Sequence, residues 1–188
     1  MAKLTRDVAG GGDLGNRRFQ RYCAAFDWVV DCIDKGYYLE AIAILDSLLW
    51  DRLSSRLGHL TSKPVELPLN FANVFKKLVG DNPNDPGLEK DAAFREAVRA
   101  IQRWMKRRNE AMHATAKILS RDSSQEDFKS ILYSHRQDAA DGIKCLQDFD
   151  TLDTASRKIK GKSPASFPKA FFPERRGRKS CVIPQVER

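Results

Sequence analysis

Apolar residues in this chain recur at helical spacing almost from end to end. Phe19, Tyr22, Phe26, Val29 and Ile33 alternate three- and four-residue steps, which puts them on one side of an amphipathic helix, and Gly36 supplies its stop. Ile42, Leu45, Leu49, Leu53 and Leu57 form a second stripe, with Gly58 as the expected C-cap. Pro64 and Pro68 then impose an extended connector. Asn70 is placed to cap a short helix carrying Phe71, Val74, Phe75 and Leu78, which stops at Gly80. Residues 81–87, with Pro83 and Pro86, read as a loop. A third long helix is predicted from near Leu88, with the stripe Phe94, Val98, Ile101, Met105, Arg108, Met112. A fourth, opening at Ser123 or Ser124, carries Phe128, Leu132, Ala139, Ile143, Leu146 and Phe149, and His135 falls on the same stripe. No stretch alternates like a strand. The economical architecture is all-α: an up-and-down bundle of four long helices and one short one.

Composition adds a boundary to that picture. The chain has 188 residues and a net charge of +8, but the charge is unevenly spread. Residues 157–188 hold ten Lys or Arg against Glu174 and Glu187, so the rest of the chain is neutral, with twenty-three groups of each sign. That segment also contains Pro164, Pro168, Pro173 and Pro184. It cannot bury enough apolar surface to fold alone. The expected organisation is a flexible N-terminus (1–16), a helical domain (17–150) and a basic, proline-rich, flexible C-terminal tail (151–188). Arg175, Arg176, Arg178 and Lys179 suit contact with RNA phosphates, and a solubilising extension is the equal alternative. Phe167, Phe171 and Phe172 suit stacking on bases or docking on the body.

The same composition excludes several classes. Cys23, Cys32, Cys145 and Cys181 are scattered without a CxxC pair or a nearby histidine, so no zinc site, metal or other cofactor is expected. The N-terminal residues lack the apolar stretch of a secretory signal. The richest apolar segment, Leu39 to Trp50, is broken by Glu40 and Asp46, well short of a membrane span. A soluble, cytoplasmic protein without membrane contact is expected.

Arg108 stands where the third stripe calls for an apolar residue, and an unpaired buried charge costs several kcal/mol. It could pair with a buried acid, for which Asp46, bordering the apolar side of the second helix, is the best candidate. It could lie at an oligomer interface, or the helix could stop before it. Five residues on is His113, whose imidazole is the side-chain type most used to move protons in catalysis; a guanidinium can brace a phosphate oxyanion through parallel hydrogen bonds. Five residues span ~500° of a straight helix, so the two side chains would point ~140° apart. A kink with Asn109 as a new N-cap would remove that difficulty. So would a two-fold axis that brings Arg108 and His113 of two subunits into one cleft.

The pattern Arg108-Asn109-Glu110-Ala111-Met112-His113, late in a compact all-helical domain, resembles the HEPN superfamily over roughly residues 17–150. The resemblance implies a metal-independent endoribonuclease acting on RNA, of a kind often found as a toxin or in defence against phage; a homodimer is expected separately, from the arginine on an otherwise apolar seam. Arg108 and His113 match the two defining positions. His113 would move protons, Arg108 would stabilise the charge of the phosphorane, and Asn109 would orient one of them or the phosphate. Asp46 corresponds loosely to a supporting acid, and Glu110 is a further supporting candidate. Relatives whose nucleotidyltransferase antitoxins modify a tyrosine carry Tyr two residues after the histidine; here it is Thr115, so an antitoxin or regulatory protein would act by another route.

Other residues compete for attention. His135 beside Arg136 is either a core histidine or a second imidazole lining the cleft. His59 reads as a surface residue or as a cation near a helix C-terminus. Lys106 and Arg107 could guide RNA, or could form an ordinary solvated helix face. Trp28, Trp50 and Trp104 are expected as core or dimer-interface anchors. Two different functions stay open: a non-catalytic HEPN-like module that binds nucleic acid or protein, and a nucleic-acid adaptor whose active element is the basic tail.

Overall fold

A computed structural model describes residues 5–6, 12–66, 70–81, 85–114 and 128–159. Helices dominate the described residues: α1 (Gly12–Asp34), α2 (Tyr38–Thr61), α3 (Phe71–Val79), α4 (Ala92–Ala114), α5 (Phe128–Ser134) and α6 (Arg136–Ile159). The exception to all-helical structure is a two-residue antiparallel ladder, in which β1 (Thr5–Arg6) pairs with β2 (Val65–Glu66) beside Pro64. No described helix is long and apolar enough to cross a membrane.

Most positions of the predicted stripes are buried, but Met112 and Phe128 are exposed and no residue of α5 is buried. Tyr22, Phe26, Val29 and Ile33 of α1 pack with Ile42, Leu45, Leu49 and Leu53 of α2 in one core. α2 is its centre: it packs against α1, α3, α4 and α6, whereas α1 packs chiefly on α2. Cross-helix contacts set the directions. Asp46 meets Arg108 and Arg56 lies over Phe94, so α2 and α4 run antiparallel. Arg52 meets Asp150 while Ser55 meets Arg157, so α2 and α6 run parallel. Gly142 permits the closest approach: a Cβ there would lie 2.7 Å from the Trp104 ring and 3.0 Å from Leu45. Only a residue without a side chain fits α6 that tightly against α4 and α2. The Trp104 indole N–H completes the seam by donating to the Asp138 carbonyl at 2.7 Å.

Local signals mostly act as their chemistry demands. Gly36 turns α1 into α2 at φ +80°, and Asn70 caps α3 by accepting from the Asn73 N–H at 2.8 Å. Five expectations need correction. α1 starts at Gly12, inside the segment expected to be flexible. α2 passes Gly58 and ends at Thr61 with Ser62 in the left-handed conformation, so Gly58 is not its cap; His59 does lie in the last turn, but buried rather than on the surface. α4 opens at Ala92, after Asp91 accepts from the Phe94 N–H, not near Leu88. The fourth long helix is two helices separated at His135; Ser123 and Ser124 lie outside the described residues. Finally, α6 continues nine residues beyond the expected boundary at 150, to Ile159, with Asp153, Thr154 and Arg157 buried. Arg157 therefore belongs to the packed domain. Residues 160–188, with the phenylalanines and Arg175, Arg176, Arg178 and Lys179, lie outside the described residues.

Candidate active site on helix α4

Arg108 does not enter the core alone. Its Nη2 donates to Asp46 Oδ2 of α2 at 2.5 Å, and its Nη1 donates to Asn109 Oδ1 at 2.7 Å. The pairing is possible because antiparallel packing brings the third turn of α2 to the level of the last turns of α4. Both partners keep some solvent contact: 24% of the Arg108 side chain and 16% of the Asp46 side chain are exposed. Asp46 Oδ1 and Arg108 Nε are buried with no hydrogen-bond partner among the described residues. The guanidinium is thus fixed by two oxygens through its two Nη atoms, with its Nε buried beside them.

Asp46 sits in an environment of mixed sign. Burial pushes its carboxyl above the usual carboxylate range, and the Arg108 hydrogen bond and charge pull it only part of the way back. A folded-state pKa above the unfolded one means that the native protein holds the Asp46 proton more tightly. Its contribution to stability is therefore fullest when the carboxyl is protonated and falls as pH rises through the folded pKa. The wild-type protein should lose stability relative to Asp46→Asn as pH is raised above the ordinary carboxylate value of about 4, measured as urea midpoints at each pH. A relative gain instead would mean that Arg108 outweighs burial.

α4 is unbroken through Asn109, so the kink with Asn109 as an N-cap does not occur. Within one chain Arg108 faces α2, whereas His113 lies exposed one turn and a half further along, ~140° around the helix. Glu110 is exposed, as are Asn109 and Met112. The structure thus brings Arg108, Asn109 and Asp46 together and leaves His113 and Glu110 facing solvent.

The flanking cations differ from one another. Lys106 is exposed. Arg107 leans on α6, where it pairs with Asp138 at 3.3 Å and Asp141 at 2.7 Å while 45% of its side chain stays exposed. It lines a groove of about 400 Å3 between α4 and α6 with Arg103, Trp104, Lys144, Cys145 and Asp148. The Cys145 thiol there is pushed up to about 11, first by burial and then by Asp141 and Asp148, which leaves it a poor nucleophile. His135 occupies the α5–α6 break with Nδ1 3.4 Å from Asp138 Oδ2. Of the tryptophans, Trp104 is a core anchor, Trp50 is half-buried, and Trp28 is 58% exposed and outside the core.

Sequence reasoning missed a second polar cluster. Arg52 and Arg56 of α2, Asp150, Asp153 and Arg157 of α6, and Glu89 before α4 are all buried. Asp153 Oδ2 accepts from Arg52 at 3.0 Å and from Arg157 at 2.8 Å. Arg56 donates to Glu89 at 2.8 Å and to Ser156 at 3.0 Å, and Arg157 donates to Ser55 at 2.9 Å; Arg52 also pairs with Asp150. Three guanidinia thus meet three carboxylates. The signal was present in the continuation of the α6 stripe past Phe149 through Asp150, Asp153 and Arg157 at steps of three and four. Compared with protein family models, with curated proteins and with solved structures, the chain matches none.

Proposed function

We propose that this protein is a metal-independent endoribonuclease of the HEPN type, built as an up-and-down helical bundle, and that it acts on RNA as a homodimer in the cytoplasm, as a toxin or an anti-phage effector. The observation that carries the proposal is Arg108: a guanidinium held by Asp46 and Asn109 at the edge of the core, on the same continuous helix that presents His113 to solvent. In the reaction the ribose 2′-oxygen bonds to phosphorus as its proton leaves, the bond from phosphorus to the 5′-oxygen breaks, and that oxygen takes up a proton. His113 is the group suited to these transfers, and Arg108 to the extra negative charge on the phosphorane. The angle between them on one helix favours a cleft shared across a two-fold axis.

A second reading rests on the same pair. The Asp46–Arg108 bridge also suits a purely structural role that fixes the register of α2 against α4, in a module that binds nucleic acid or protein without cutting. Incubating purified protein with single-stranded RNA in excess EDTA separates the two. The ribonuclease should release fragments ending in 2′,3′-cyclic phosphate, detected by mass spectrometry. Intact RNA across a panel of unstructured substrates would favour the binding module.

A further inference from the structure

The outer face of α1 carries a charge pattern that is its own complement. α1 rests on α2, with Tyr22, Phe26, Val29 and Ile33 buried, and the opposite side of the helix has no neighbour of its own among the described helices. Taking ~100° per residue, Asp13, Arg17, Gln20, Arg21, Asp27, Trp28, Asp31 and Lys35 all fall within about 60° of Ala24. All are exposed except Asp27, which is half-buried. The basic residues of this face lie before Ala24 and the acids mostly after it, with Asp13 and Lys35 reversing the order at the two ends.

We infer that this face is a docking surface for a second copy of the same chain, with the two α1 helices antiparallel about a two-fold axis at Ala24. An isologous contact places residue i against j and j against i, so each pairing below occurs twice. In that register Arg17 stands opposite Asp31 of the second copy, and Asp13 opposite its Lys35. Gln20 reaches the second copy's Asp27. Arg21 comes over the face of its Trp28, a cation–π arrangement that would cover a ring 58% exposed in the isolated chain. Lys35 already lies 5.9 Å from the Trp28 ring within one chain, and Arg17 pairs with Asp13 at 3.0 Å. Association exchanges these local pairs for cross-helix ones. Ala24, small and exposed at the centre, lets the two backbones approach.

The contact is of a weak, salt-sensitive kind. Exposed ion pairs contribute little singly, and one 23-residue helix from each copy presents less area than a standard stable interface. A parallel arrangement would set Arg17 against Arg17 and Asp31 against Asp31, so the pattern also selects orientation. The face shares no residue with Arg108 or His113, and the inference does not depend on the ribonuclease proposal.

Sedimentation velocity of the full chain tests it at about 10 mM and about 1 M salt, where the screening length falls from roughly 30 Å to 3 Å. Wild type should show a concentration-dependent association step at low salt that disappears at high salt. Arg17→Asp and Asp31→Arg, each on the exposed side of α1, should each abolish that step. The double variant, Arg17→Asp with Asp31→Arg, should regain it, because the reversed charges again face each other. Single variants that associate like wild type, or a double variant that does not recover, would overturn the inference, whatever other dimer the protein forms.

Discussion

Asp153→Ala should cost about 3–5 kcal/mol of folding stability, the loss typical of removing one partner from a buried ion pair. Asp153 is fully buried, and its carboxylate holds Arg52 and Arg157 by hydrogen bonds, with Arg56 3.6 Å away. Its removal leaves three guanidinia with two carboxylates, Asp150 and Glu89, in a site where the Arg52 and Arg56 side chains are almost wholly buried. The loss is large against the ~5–15 kcal/mol that holds a domain folded. Beyond Phe149 the buried residues of α6 are Asp150, Asp153, Thr154 and Arg157, so the last turns of this helix dock through charge rather than apolar burial. Asp153→Asn keeps the shape and loses the charge, and it should fall between wild type and alanine. Urea midpoints with a common slope give the answer; a loss below ~1 kcal/mol, ordinary for a surface site, would show that the network contributes only register.

His113→Ala should lower RNA cleavage about 10²–10⁴-fold, the usual contribution of a positioned general acid or base, with little change in unfolding midpoint. His113 is exposed and makes no core contact, so a folding defect cannot account for the loss. Arg108→Ala should cost comparable activity and also some stability, because it leaves Asp46 half-buried without its cation. The decisive arm is a mixture. If the cleft joins Arg108 of one subunit to His113 of the other, then mixing and reannealing the two inactive variants should restore measurable cleavage in the mixed dimers. Wild-type-like cleavage by His113→Ala would falsify the assignment of the acid–base group. A mixture as inactive as its components would instead remove the composite cleft.

The buried ion network explains where patterning lost its hold. Periodicity located α1 to α4 and α6 because apolar residues at three- and four-residue steps must be covered, whatever covers them. It stopped at Phe149 because the next steps on the same face, Asp150, Asp153 and Arg157, are charged, and charge at such positions ordinarily marks the end of a buried stripe. Only Arg52 and Arg56, a hundred residues away, make those positions a continuation of the core. The same blindness placed a cap at Gly58: glycine permits a helix end, but the segment Gly58–His59 is buried by its surroundings, and the left-handed turn falls at Ser62. By spacing His135 falls on one long stripe, and the break there appears only when α5 turns to set Tyr133 against Tyr38 of α2.

The candidate site divides in a similar way. That Arg108 needed a partner, that Asp46 was the nearest suitable acid, and that His113 could not share its face on a straight helix all follow from spacing and from the cost of burying charge. Local sequence alone determined the stripes, the Asn70 cap, the Gly36 turn and the charge pattern on the outer face of α1. Tertiary structure decided that α4 runs unbroken through Asn109, that Arg107 pairs with Asp138 and Asp141, and that α6 extends to Ile159. The physical reason is range: hydrophobic period and capping are set by neighbours within a turn or two, whereas the charge state and freedom of a side chain depend on which distant helix the fold brings beside it.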